Sequence, residues 1–252
     1  MDGAMTQRAS GVRSVGRAFE LLELMGEHED GVALSQLSAA SGLPVPTIHR
    51  IARTLVTSGY VLQLPSRRYA LGPRLTGLGE NARRTLDAWV RPPLRTLAER
   101  SGETANMAML DGYMVVYVAQ AASSRHTVRM FTEVGRQVFA HCTGVGKALL
   151  AQLPERDARA IVDTAGMPAR TDRTITDGDA LAAELARVRA QGYAVDDGEQ
   201  ERGVRCVAVA VPGSVTTAIS VSGPAGRLTP QSVPQVVPLL RHAADGLALP
   251  GA

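Results

Sequence analysis

Apolar residues recur at threes and fours between Ser14 and Glu27, where Val15, Ala18, Leu21, Leu22 and Met25 share one helical face. A polar, turn-like Gly26–Gly31 follows, then Val32 and Leu34 as a short strand. Ser35–Ser41 reads as a brief helix with Ser35 as N-cap and Gly42 as its stop. A connector of about three residues leads to a second helix near Pro46–Ser58, with Pro46 in its first turn, where a missing N–H costs nothing. Tyr60–Leu64 and Arg68–Leu71 can pair as a hairpin around Pro65-Ser66-Arg67.

The charge pattern gives these elements a direction. Gly42–Gly79 holds Arg50, Arg53, Arg67, Arg68 and Arg74 and no Asp or Glu; Met5–Ala18, also free of acids, adds Arg8, Arg13 and Arg17. In the second helix Ile48, Ile51, Ala52 and Leu55 form the apolar stripe. Arg50, Arg53, Thr54 and Thr57 lie opposite, with Thr47 and His49 at the margins. A helix pair with a solvated basic face would give the same pattern. The hairpin favours the other reading: helix, turn, helix, then wing is the order of a winged helix-turn-helix, whose second helix enters the major groove. Arg67 and Arg68 at the wing tip would reach phosphates or a minor groove.

From Gly72-Pro73 a helix over Arg74–Val90 carries Leu75, Leu78, Ala82, Leu86 and Trp89 at helical spacing. That stripe packs either within one protomer or against a second copy. Pro92-Pro93 is expected to interrupt it, with a new helix over Leu94–Arg100. Strand patterns then take over. Thr104–Leu110 and Tyr113–Ala119 flank the turn Asp111-Gly112, and Thr127–Phe131 is a third candidate. Helices are predicted over Val145–Leu153, Glu155–Asp163, Asp179–Gln191 and Val233–Leu247, and strands over Tyr193–Val195, Val204–Val211 and Ala218–Ser222. The class is α+β: a winged helix-turn-helix over 1–72, a linker helix over 73–91, and a mixed sensor-like domain over 92–252.

Composition narrows the chemistry. The 252 residues carry 27 basic and 24 acidic side chains, a net +3, and Lys147 is the single lysine. No run approaches the roughly 20 apolar residues of a membrane span. The N-terminus lacks a signal-peptide core, and two cysteines are too few for a disulfide framework, so a reduced, cytoplasmic setting is expected. Thr143-Gly144-Val145-Gly146-Lys147 fails as a phosphate loop: His141 stands where glycine is required and Ala148 where a hydroxyl is. No metal-ligand spacing and no catalytic signature is present, so neither enzyme nor cofactor is expected. The alternatives kept are an enzyme using His141 and Cys142, which requires a depressed thiol pKa, and an architectural DNA-binding protein without a ligand. Gly144 and Val145 open a helix, where free N–H groups favour an anion such as a carboxylate; close packing accounts for the glycine equally well.

The stretches SVGRAFELLELM, LSQLSAASGLPVPTIHRIARTLVTSGYV, RRYALGPRL, HCTGVGKALLAQLPE, GYAVDDGEQERGVRCVAVAV and AISVSGP, in this order, resemble the IclR (isocitrate-lyase-regulator type) transcriptional regulators over essentially the whole chain. The resemblance implies a winged helix-turn-helix, a linker helix and a GAF-like effector-binding domain. It also implies a homodimer or dimer of dimers that represses or activates operons from a near-palindromic double-stranded operator. The implied effector is a small organic or aromatic acid. DNA contacts would come from Arg17, Ser35, Thr47, His49, Arg50, Arg53, Thr54, Arg67 and Arg68. Effector contacts would come from Gly144, Val145, Asp196, Cys206, Ser220 and Ser222, with apolar walls from Met130 and Val138. The chain differs from the family pattern at Phe139, where proline is frequent, and at Pro46, where serine is common. Its wing turn also lacks the glycine many members carry.

Overall fold

The computed structural model describes residues 12–126, 134–214 and 216–248, the Leu86 side chain excepted. Arg8, Met130 and the expected strand Thr127–Phe131 lie outside the described residues. The chain divides into two compact units, Met1–Arg84 and Thr85–Ala252.

In the first unit α1 (Arg13–Gly26), α2 (Leu34–Ser41) and α3 (Val45–Thr57) pack round Leu21, Met25, Leu37, Ile48 and Ala52, none more than 1% exposed. Gly42 ends α2 in the left-handed region at φ 67°. β1 (Val61–Gln63) and β2 (Tyr69–Leu71) form the antiparallel wing. The Val32–Leu34 strand contracts to one bridge, Val32 N–H to Tyr69 O (2.8 Å) and its reciprocal (2.9 Å). That pairing holds the chain extended only as far as Ala33, so α2 starts one residue earlier than expected. Ser35 is therefore not the N-cap; it is exposed in the first turn, and the Gln36 Oε1 accepts the Ala33 N–H at 3.0 Å.

Helix α4 (Arg74–Ser101) runs through the boundary between the units and contains Pro92 and Pro93 without interruption, contrary to expectation. Each proline costs about 3 kcal/mol in a helix interior. Against that stand Val90, Leu94 and Leu97, at most 2% exposed, each worth about 1.5–3 kcal/mol when buried. The helix continues because both sides of the proline pair are packed.

The second unit is built on one antiparallel sheet in the order β5-β4-β3-β8-β7-β6. Its strands are β3 (Thr104–Asp111), β4 (Met114–Ala121), β5 (Gln137–Phe139), β6 (Ala194–Asp197), β7 (Val204–Ala210) and β8 (Thr217–Pro224). Strand β5 was not anticipated: three residues are too short to show an alternation. Strands β7 and β8 are buried on both faces. Val207, Val209, Ile219 and Val221 pack toward α4 and α8 (Val233–Asp245), whereas Ala208 and Ala218 face α5 (Gly144–Leu150) and α7 (Gly178–Gln191). The residues in phase with those alanines are Cys206, Ser220 and Ser222. The period-2 pattern thus lays small polar groups on the face that receives α5. Helix α6 (Glu155–Ala165) completes that layer.

Candidate DNA-reading face and effector cavity

On α3, Ile48 and Ala52 are fully buried and thereby fix the rotation of the helix. His49, Arg50, Arg53, Thr54 and Thr57 are exposed and Thr47 is half-buried. Thr54 Oγ1 donates to Arg50 O (3.1 Å) and Thr57 Oγ1 to Arg53 O (3.0 Å), so these hydroxyls remain available only as acceptors. Arg50, Thr47 and Thr54 also border an apolar groove of about 630 Å³ with Arg17 and Phe19 of α1. Arg74 is committed elsewhere: it donates to Ser58 O at 3.0 Å and lies over the Tyr60 ring.

The two wing arginines separate. Arg67 is exposed at the tip with φ 60°, the only non-glycine residue with positive φ among those described, so the turn holds an arginine where a glycine is sterically favoured. Arg68 turns inward: its Nε donates to Gly31 O (2.9 Å) and an Nη to Gln36 Oε1 (3.4 Å), tying the wing to the approach to α2. Nothing in the sequence distinguished the two, because the hairpin's phase sets which of them points out.

In the second unit Val138, Asp196, Cys206 and Ser222 meet round a cavity of about 70 Å³. Gly144, Val145 and Ser220 are fully buried beside it and outside its lining. A Cβ on Gly144 would stand 3.0 Å from Cys206 Sγ, and one on Gly146 only 2.3 Å from Ala140 O. Close approach therefore requires both glycines. Thr143 caps α5, its Oγ1 accepting the Gly146 N–H at 3.2 Å.

Asp196 is 4% exposed; its Oδ1 accepts the Glu199 N–H (2.7 Å) and the Gln200 N–H (3.3 Å). Burial pushes its carboxyl up to about 7, against those two hydrogen bonds, which lower it. Burial likewise raises the Cys206 thiol to about 11 and the Cys142 thiol to about 12. Cys142 Sγ donates to Gln200 Oε1 (3.0 Å), while His141 Nε2 meets Pro168 O (3.3 Å). A thiol held protonated and turned to an amide is no nucleophile.

Sequence reasoning passed over the residues that hold the cavity together. Lys147, 1% exposed, reaches Glu199 Oε1 (2.5 Å), Val195 O (2.6 Å) and Glu184 Oε1 (3.2 Å). It ties α5 to strand β6, which carries Asp196, and to the loop that follows it. Thr171 Oγ1 bonds Gly198 O at 2.7 Å and Thr174 Oγ1 bonds Glu199 O at 2.7 Å, clamping the loop from outside. Tyr117, Arg136, Thr143, Gln200, Glu201 and Val204 complete the lining. A lone lysine after two glycines was a signal for Lys147; the others are visible only once the sheet is folded.

A winged helix-turn-helix with an arginine face, joined by one helix to an α/β unit holding a buried polar cavity, defines a transcriptional regulator with an effector domain. Two family models match: the IclR helix-turn-helix domain over residues 14–65, and the bacterial transcriptional regulator IclR C-terminal domain over 82–249. The chain belongs to the IclR family of DNA-binding transcriptional regulators, which are not enzymes. It is 35% identical to the transcriptional repressor IclR of Escherichia coli (strain K12), covering 94% of this chain and 89% of that one. Among solved structures it is similar to an IclR-type regulator from Silicibacter sp. TM1040 (TM-score 0.73, 32% identity, 93% and 94% covered). A second is an IclR homologue of Microbacterium hydrocarbonoxydans complexed with 4-hydroxybenzoate (TM-score 0.61, 25% identity, 93% and 95% covered). Among the described residues no helix is long and apolar enough to cross a membrane.

Proposed function

We propose that this regulator binds a near-palindromic operator as a homodimer or dimer of dimers, in the cytoplasmic compartment where the DNA is, and that a small organic acid in the Asp196 cavity sets its affinity. The winged unit spans 1–72, the linker helix 73–91 and the effector domain 92–252. His49, Arg50 and Arg53, with Thr47 and Thr54, read base edges; Arg17, Ser35 and Arg67 contact the backbone, and Arg68 braces the wing. Asp196, Cys206 and Ser222 contact the effector directly; Ser220 and the amides of Gly144 and Val145 form its second layer, with Val138 as an apolar wall. The carrying observation is the cavity itself: a buried acid, a thiol and a hydroxyl converge on an opening beside a helix start. The acid bound in the Microbacterium homologue supports the same class of effector.

Symmetric half-sites follow from two-fold protein symmetry. The test is anisotropy of DNA selected from a random pool, titrated with and without a panel of carboxylic and aromatic acids. An effector is expected to shift the Kd by about 5- to 150-fold. A panel in which no acid alters DNA affinity or melting temperature would refute the effector assignment.

A further inference from the structure

Strands β5 and β6 are opposite edges of the sheet, yet Val138 of β5 and Asp196 of β6 line one cavity. The sheet therefore curls until its two edges face each other across the opening, and each edge contributes charge of one sign. Arg136, immediately before β5, lines one side; it is exposed and has no ion-pair partner among the described residues. On the β6 side stand Asp196, 96% buried, and the exposed Glu201. The Asp196 hydrogen bonds found in the fold are both at Oδ1, so its second oxygen is open to a ligand. The rest of the lining, Cys206, Ser222 and Val138 among it, carries no formal charge. The amides of Gly144 and Val145 are outside the lining, which leaves Arg136 as the cation that a carboxylate inside the cavity meets.

We infer that the cavity is bipolar and selects a monocarboxylate bearing a hydrogen-bond donor at its far end, a hydroxy acid, and rejects dicarboxylates. Arg136 holds the carboxylate by charge-assisted hydrogen bonds. Once ionised, above about pH 7, Asp196 accepts the hydroxyl, and with Glu201 it repels a second carboxylate. The inference rests on the effector reading proposed above and specifies its chemistry.

Two matched sets of probes test it on the full chain at pH 8, where Asp196 is ionised, by calorimetry and thermal shift. The first is 3-hydroxypropionate, propionate, malonate and 3-hydroxypropionamide; the second is 4-hydroxybenzoate, benzoate, terephthalate and 4-hydroxybenzamide. In the set that fits, the hydroxy acid is expected to bind the unmodified protein at least tenfold more tightly than its dicarboxylate and its amide. Asp196→Asn should narrow the gap to the dicarboxylate, and Arg136→Gln the gap to the amide. A dicarboxylate binding the unmodified protein as tightly as the hydroxy acid overturns the inference, and so does an acid-to-amide ratio unmoved by Arg136→Gln. Binding without discrimination sinks this inference alone, whereas no binding by any of the eight probes sinks the effector reading with it.

Discussion

Asp196→Asn changes one atom of a buried carboxyl, and its effect on stability can be worked out in advance. The asparagine keeps the Oδ1 that accepts the Glu199 and Gln200 amides. Burial raises the aspartate from 3.8 to about 7, and each pH unit is worth about 1.4 kcal/mol. The folded state therefore binds this proton more tightly than the unfolded chain does. Its contribution is fully present below about pH 4 and is lost progressively as pH rises to about 7, after which it is level. The ionised carboxylate then costs the fold about 4 kcal/mol, an upper value because the neighbouring Glu199 carboxyl is coupled to it. Asparagine carries no such cost. Thermal unfolding from pH 4.5 to 8.5 should show the variant gaining on the parent as pH rises, by several degrees at pH 8, at roughly 2–4 °C per kcal/mol for a chain of this size. Parallel curves across that range would refute the assignment of a raised, buried acid.

Lys147→Met removes the cation shared by Glu199 and Glu184 and should destabilise the second unit by about 3–5 kcal/mol. Adding Glu199→Gln should return part of that in urea unfolding, and a full loss unchanged by the second substitution would contradict the pairing. Arg67→Gly removes a side chain from φ 60° and should stabilise the first unit by about 0.5–1 kcal/mol, whereas Arg67→Ala should not. Both should weaken DNA binding alike, and glycine and alanine variants melting together would show that the wing tip carries no strain.

The helices and most strands could be read from the chain because their burial follows a local period. Ile48 and Ala52 recur at four residues, and Val207, Val209, Ile219 and Val221 at two, so the buried faces of α3, β7 and β8 were fixed before folding. The misreadings share a cause in long-range contacts. Pro92-Pro93 survives inside α4 because residues of the sheet unit pack on both sides of it. Ser35 loses its cap role because a wing strand, distant in sequence, pins Val32. The cavity was partly readable: Asp196, Cys206 and Ser222 were picked out by their likeness to a family pattern. Their convergence with Val138 and Arg136 depends on the curl of the sheet, which no local pattern encodes. Lys147, Thr171 and Thr174 act through the loop that follows β6, so their roles appear once that loop is in place.

The central claim, that the outer face of α3 reads bases, is tested most directly by Arg53→Ala measured on selected operator and on random duplex at several salt concentrations. The loss should be about 1–3 kcal/mol on the operator and much smaller on random DNA, with base preference relaxed at one position in each half-site. An equal loss on both duplexes would mean that Arg53 meets only phosphate, and the account of α3 as the reading helix would be contradicted.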